Sequence, residues 1–374
     1  MTPPSDFIPV ADPGAAYRRL RPELDMALAR VMASGRYVLA DEVGALEIEF
    51  ARWLAAGQSP PLPQTVTCAS GTDAIRLALH TLDLPPGAGV IVPALAPSAS
   101  CTAIVEAGLR PVFADVDAET GTLDTSDVAR RLSASVGAVL AVHLYGNPCD
   151  LTNLLALGLP VLEDCAQAHG ALHAGRRVGT FGQLAAWSFY PTKNLGAFGD
   201  GGAVTTADVA RAERLRALRQ YGWRARQISA EYGWNSRLDE LQAALLRVRL
   251  VHLEADNERR RALAARYQQA LPATLERVAA RAGDVGAEHL FVVRHPDREP
   301  LRRDLLAAGV GTGVHYPCPL HVQPAYQCYG AGPGSLPVAE RLAATVLSLP
   351  LYPELSDAQV DTVIAHVTRV CQAR

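Results

Sequence analysis

The sequence predicts an α/β protein. A large domain built on a mostly parallel sheet, with helices on both faces, is followed by a smaller C-terminal α+β domain. Three observations carry this. Short apolar runs (Val90–Val92, Pro111–Val116, Val136–Val142) alternate with segments long enough for helices, the pattern of parallel strands covered on both faces. At 374 residues the chain exceeds one compact core, which suggests two domains sharing a cleft; they are expected at 1–250 and 251–374. Apolar residues make up 49% and charged residues 20%, the balance of a soluble globular chain rather than a disordered or fibrous one.

Taken in order, Leu20, Leu24, Leu28 and Val31 recur at helical spacing, and Gly35 stops this first helix. Ala45, Ile48 and Trp53 continue an apolar face in a second. The Pro-rich stretch 58–64 reads as a surface loop. Thr65–Ala69 is a short strand leading into Ser70-Gly71-Thr72-Asp73 and a helix bearing Ile75, Leu77, Ala78, Leu79 and Leu82. Such a turn exposes backbone N–H groups at the positive end of a helix dipole, which suits a phosphate. By itself it reads equally well as a plain N-cap from Ser70, Thr72 or Asp73. A helix is expected from about Ser98 to Ala107. The run Pro160–Gly170 places Glu163 and Asp164 at the carboxyl end of a buried strand, the end where α/β enzymes hold ligands. Gly202–Thr206 reads as a strand, Asp208–Leu218 as an Arg-rich helix, and Gly233–Arg237 as the entry to a helix with Leu238, Leu241, Leu245 and Val248 on one face. The C-terminal domain should hold a long Arg-rich helix, a strand at Leu290–Val293, a helix from about Arg298 to Ala308 and a final helix after Ser356.

Chemistry concentrates in Ser188–Gly202, where an apolar strand runs into a turn holding Lys193 among glycines. Lys193 is the only lysine in the chain; every other strongly basic side chain is arginine. A primary amine can form a Schiff base with an aldehyde and a guanidinium cannot, so the exception points to that chemistry rather than to a surface charge. Beside it, the phosphate reading of Ser70–Asp73 is preferred. The net charge of −3, with acids and bases interspersed, gives no electrostatic case for nucleic acid or membrane binding. No apolar run is long enough to span a bilayer, and Met1–Asp6 lacks the pattern of a signal peptide. Seven cysteines, odd in number and scattered, suggest reduced thiols in the cytoplasm. Cys165, His169 and His173 are spaced four apart, as helical metal ligands can be. Gly170 and Gly175 argue against a long helix there, so no metal is expected. Gly309–Gly313 lacks the context of a dinucleotide loop and is rejected as one.

The lysine segment resembles the pyridoxal-phosphate (PLP) segment of the nucleotide-sugar aminotransferases of the DegT/DnrJ/StrS family. The resemblance runs nearly the full length of the chain. Ile8-Pro9-Val10, Ala33–Val38 and Glu47–Ala51 follow the family's N-terminal pattern, with Ala40 a departure from glycine. It implies the PLP-dependent transferase fold of type I, a homodimer, and transfer of an amino group, from glutamate, to a ketone on a nucleotide-linked sugar. Lys193 would carry PLP and shuttle the proton; Asp164 would face the pyridine nitrogen and Gln167 the ring's phenolic oxygen. Gly71, Thr72, Asp73 and Ser188 would hold the phosphate, joined by Asn235 from the partner chain. Val314–His321 resembles the strand that brings a substrate-side histidine, His315, with Tyr316 beside it; its two prolines fit a structural turn nearly as well. The family's ring-stacking aromatic has no counterpart in Val92–Ser100, so Pro97 or its neighbour is expected to cover the ring. Tyr221 and His289–Arg294 resemble the branch acting on thymidine-linked 3-keto-6-deoxy sugars, although Tyr221 also reads as packing the end of its helix; Arg224, Arg226 and Arg237 could meet a diphosphate or stand as solvated surface arginines. A 4-keto sugar, a PLP-dependent dehydratase and a PLP-binding sensor are the alternatives; dehydratases of this fold replace the lysine, so Lys193 argues against that branch.

Overall fold

Seven strands form the central sheet in the order Gln64–Cys68, Gly202–Thr206, Leu184–Ser188, Val161–Asp164, Val136–Val142, Gly89–Pro93, Arg110–Ala114. The structure, a computed structural model, describes residues 7–56 and 62–372. Met1–Asp6 and most of the loop expected at 58–64 therefore lie outside the described residues. Only Gly202–Thr206 runs against the other strands of the sheet, pairing antiparallel with both of its neighbours. Side chains alternate between two cores. Ala138, Leu140 and Val142 join one layer of helices, and Val139 and Ala141 join the other. The expected covered parallel sheet is thus present, with one reversed strand.

Helices stand where the spacing places them. Pro13–Ser34 ends at Gly35, whose φ of 65° is the left-handed cap that glycine adopts at little cost. Asp41–Leu54 follows it. The C-terminal unit is α+β: Glu276–Val278, Phe291–Arg294 and Val346–Leu349 pair antiparallel, with Arg298–Ala307 and Asp357–Gln372 packed around them.

The division expected at residue 250 falls inside one unbroken helix, Glu240–Ala270. Its first half buries Ala243 and Leu246 in the large domain, and its second half buries Leu263, Ala264 and Tyr267 in the small one. Ile8 also joins the C-terminal core, bridging to Val310. A helix spanning both cores ties their relative position. The strand expected around His315 is absent. Gly313 makes a single bridge to Ser348, and the chain continues as loop to a 3₁₀ turn at Leu320–Val322.

Candidate active site

Lys193 sits in the connection between two antiparallel neighbours, with Ser188 facing Gly202 at its base. The loop is knotted by its own backbone: Phe189 N–H donates to Gly201 O at 2.8 Å, Lys193 N–H to Tyr190 O at 2.8 Å, and Ala197 N–H to Phe189 O at 2.7 Å. Gly196 permits this, since a Cβ there would stand 2.5 Å from Pro191 O. The amine is held at about 8, well under its ordinary 10.5, because burial strips water from its charged form while Asp164 pulls the other way.

Asp164 ends the strand Val161–Asp164 and is fully buried. Burial pushes its carboxyl up; the N–H of Ala166 at 3.1 Å, the charge of Lys193 and the hydroxyl of Ser100 at 3.3 Å favour its ionised form. Opposite stands the start of helix Gly71–His80. Ser70 caps it, its Oγ accepting from Asp73 N–H at 3.1 Å and its carbonyl from Ala74 N–H at 2.9 Å. The N–H groups of Gly71 and Thr72 are then left without a partner among the described residues. A Cβ on Gly71 would meet Ser188 Cβ at 2.6 Å, so glycine lets the helix start come down onto the strand end.

These groups open on one cavity of about 310 Å³, which Pro97, Gln167, His315 and Tyr316 also line. Gln167 is fixed from both ends: its Oε1 accepts from Tyr145 N–H at 2.6 Å and its Nε2 donates to Tyr316 OH at 3.2 Å. His315 contacts Ser348 Oγ through Nδ1 at 2.8 Å, and burial followed by the charge of Lys193 depresses its pKa to about 4. The donor set fits PLP: an amine for its aldehyde, a carboxylate for its ring nitrogen, and unspent N–H groups at a helix start for its phosphate. Lys193, Asp164, Gln167, Gly71, Thr72, Ser188, Pro97, His315 and Tyr316 are thus gathered in one cavity.

Four expected residues stand elsewhere. Asp73 does not line the cavity. Its N–H is spent on Ser70, and its carboxylate takes Arg76 at 2.6 Å and Ser236 Oγ at 2.6 Å. A carboxylate would also repel a phosphate, so Asp73 braces the helix start instead. Asn235 is exposed, bridged to Gln220. Tyr221, left-handed at φ 60°, lays its ring against Trp223 with centroids 5.5 Å apart. Arg237 lines a separate groove of about 970 Å³ together with Arg214, Arg216, Arg224 and Arg226. The Cys165–His173 stretch forms turns and a two-residue hairpin strand rather than a helix. His173 is engaged by Asp284 at 3.0 Å and Thr152 at 2.8 Å, away from Cys165.

Ser70, Tyr190, Asp200, His289 and Leu290 also line the cavity; the sequence marked Ser70 as part of the phosphate turn and His289–Arg294 only as a branch resemblance, and gave no site role to Tyr190, Asp200, His289 or Leu290. His289 lies in the bend just before the strand Phe291–Arg294, and only the fold reveals its position relative to Lys193; no spacing marked it.

The chain matches the model of the DegT/DnrJ/EryC1/StrS aminotransferase family over residues 19–368. It is 46% identical over 377 residues to dTDP-3-amino-3,4,6-trideoxy-alpha-D-glucose transaminase of Streptomyces venezuelae, covering 98% of each chain. It is 46% identical over 366 residues to the erythromycin biosynthesis sensory transduction protein EryC1 of Saccharopolyspora erythraea, covering 96% of this chain and 98% of that one. Among solved structures, DesV of S. venezuelae in complex with a ketimine intermediate superposes with a TM-score of 0.93 at 45% identity, covering 98% of each chain. With the lysine, the buried aspartate and the open helix start converging on one cavity, and with a match spanning nearly its whole length, the chain belongs to the DegT/DnrJ/EryC1/StrS aminotransferase family.

Proposed function

We propose that the protein transfers an amino group from an amino acid, glutamate, to the keto carbon of a nucleotide-linked sugar, using PLP and working as a homodimer. The favoured acceptor is a thymidine-diphosphate-linked 3-keto-6-deoxyhexose. The observation that carries the reading is the chain's one lysine, desolvated and set against a buried carboxylate in a cavity that ends at an open helix N-terminus. The S. venezuelae transaminase, named for a thymidine-linked sugar aminated at carbon 3, supports the choice of acceptor. The exposed position of Asn235 and the arginine groove apart from the cavity are what a site completed by a second copy would present.

PLP, when bound, supplies an aldehyde and an electron-withdrawing ring. Asp164 would hold a proton on the ring nitrogen, and the N–H groups of Gly71 and Thr72 with Ser188 Oγ would hold the phosphate. Gln167, fixed by Tyr145 and Tyr316, would orient the ring; Pro97 would cover it with a flat apolar face. Lys193 Nζ would carry a proton between the amino-acid carbon and the cofactor carbon, a task that its pKa of about 8 favours near neutral pH. The name of EryC1 favours a second reading, a sensor without turnover. Protein loaded with the aminated cofactor, tested against a panel of nucleotide ketosugars, should return to the aldehyde form fastest with the thymidine-linked 3-keto sugar. A higher kcat/KM for the 4-keto isomer overturns that choice, and failure to exchange amine with glutamate at all leaves the sensor.

A further inference from the structure

His289 is buried, lines the Lys193 cavity and is held from three sides. Its N–H donates to Tyr145 O at 3.2 Å, its carbonyl accepts from Arg260 Nη1 at 3.4 Å, and its Nδ1 meets Asn194 Oδ1 at 3.1 Å. The direction of that last bond follows from two backbone carbonyls, which can only accept. Asn257 Nδ2 donates to His169 O at 2.8 Å, which turns Asn257 Oδ1 toward Asn194. Asn194 Nδ2 donates to that Oδ1 at 2.9 Å and to Ala287 O at 2.7 Å. Asn194 therefore has only its oxygen left for His289, and the proton sits on Nδ1 of the imidazole. Nε2 keeps a bare lone pair with no partner among the described residues. Ionisation does not reverse this polarity: burial, then the charges of Lys193 and Arg260 and the rings of His315 and His169, keep His289 neutral. His315 carries no such instruction, because the Ser348 hydroxyl on its Nδ1 can donate or accept.

We infer that His289 is a specificity-determining residue that offers a fixed acceptor, Nε2, to a hydroxyl of the sugar substrate. The inference rests on the function proposed above for its substrate. A neutral acceptor welcomes an O–H and gives nothing to a carboxylate, which has no proton to donate. His289 therefore serves the sugar half of the reaction more than the amino-acid half. Asn194 and Asn257 set its polarity, and a residue next to the catalytic lysine thereby orients the wall that receives substrate.

The tautomer is read on the PLP-loaded wild type, labelled with ¹⁵N-histidine, the His289 signal being assigned by its loss in His289→Gln. Nδ1 should appear protonated and Nε2 bare; the reverse overturns the inference. In half-reaction kinetics, His289→Leu should lower kcat/KM for the ketosugar about tenfold more than for glutamate. His289→Gln, whose amide oxygen can face the cavity, should recover part of that loss. Equal losses in both halves, or none, also overturn it. Should the wild type aminate no nucleotide ketosugar, the functional reading itself fails, and the tautomer signal alone then decides whether His289 presents an acceptor. Thermal unfolding of both variants identifies any loss that comes from misfolding, in which case the wild-type spectrum decides.

Discussion

Around Lys193 the polar groups sit at the end of a buried strand, at the start of a helix, or on a loop stitched to both. Around Arg237 they sit on an exposed hairpin, Trp223–Ala225 with Ile228–Ser229, and on the helix Val209–Leu218 behind it. The cavity is about 310 Å³, the groove about 970 Å³. In the cavity, groups are desolvated and their proton affinities move. In the groove, Arg214 finds Glu231 at 2.9 Å and Asp83 at 2.7 Å, partners that half-exposed guanidinium groups find anywhere on a surface. A strand end buried on both faces fixes a side chain from within one chain. A hairpin held mainly by its own turn needs something laid over it before its side chains have one position. On the proposed function, the chemistry falls to the cavity and the groove to the remote, charged part of the substrate.

The largest test of that contrast is Lys193→Ala. Turnover should fall by at least about 10³-fold, and borohydride should no longer fix cofactor to the protein, while the unfolding midpoint stays near wild type. Near-wild-type transamination would break the assignment of the cavity. Asp164→Asn keeps the shape and removes the charge. Here kcat should drop about 10²-fold with a much smaller change in PLP affinity, measured by equilibrium dialysis. A loss confined to affinity would make Asp164 a binding residue only.

Glu163, one position earlier, tests whether the strand end itself is what holds the site. Fully buried, it accepts from Gly179 N–H at 2.6 Å, Phe181 N–H at 2.8 Å and Gly182 N–H at 2.7 Å, and it contacts His143 Nε2 at 3.2 Å. Burial pushes its carboxyl up, but the hydrogen bond and charge of His143 and the N–H groups of Gly182 and Gly179 hold it below the ordinary 4.5. A lowered folded-state pKa stabilises the protein above the unfolded value, and that contribution disappears as pH falls through the folded one. Glu163→Gln should cost about 3 kcal/mol at neutral pH in denaturant unfolding and flatten the acid limb of the stability profile. An unchanged acid limb would show that the carboxylate carries none of it.

The smallest expected effect lies in the groove. Arg237→Ala should raise KM for the nucleotide sugar about tenfold, leaving PLP affinity and the exchange with glutamate as they were. A loss of PLP instead would join groove and cavity into one site.

The sequence by itself determined the local parts. A lone lysine among arginines, a polar cap somewhere in Ser70–Asp73, a glycine at the end of the first helix and carboxylates closing an apolar strand are each written within a few residues, because caps, turns and strand ends depend on near neighbours. Tertiary structure decided what came from afar. Asp73 resembled a phosphate ligand until Ser236, 163 positions on, claimed its carboxylate. The boundary at residue 250 vanished into a helix that two cores share. His289 reached Asn194 across 95 positions, through a network whose direction starts at backbone carbonyls that no residue pattern displays. The nature of a side chain is local, whereas the partner that orients it, and the water it loses, are settled only when distant segments pack together.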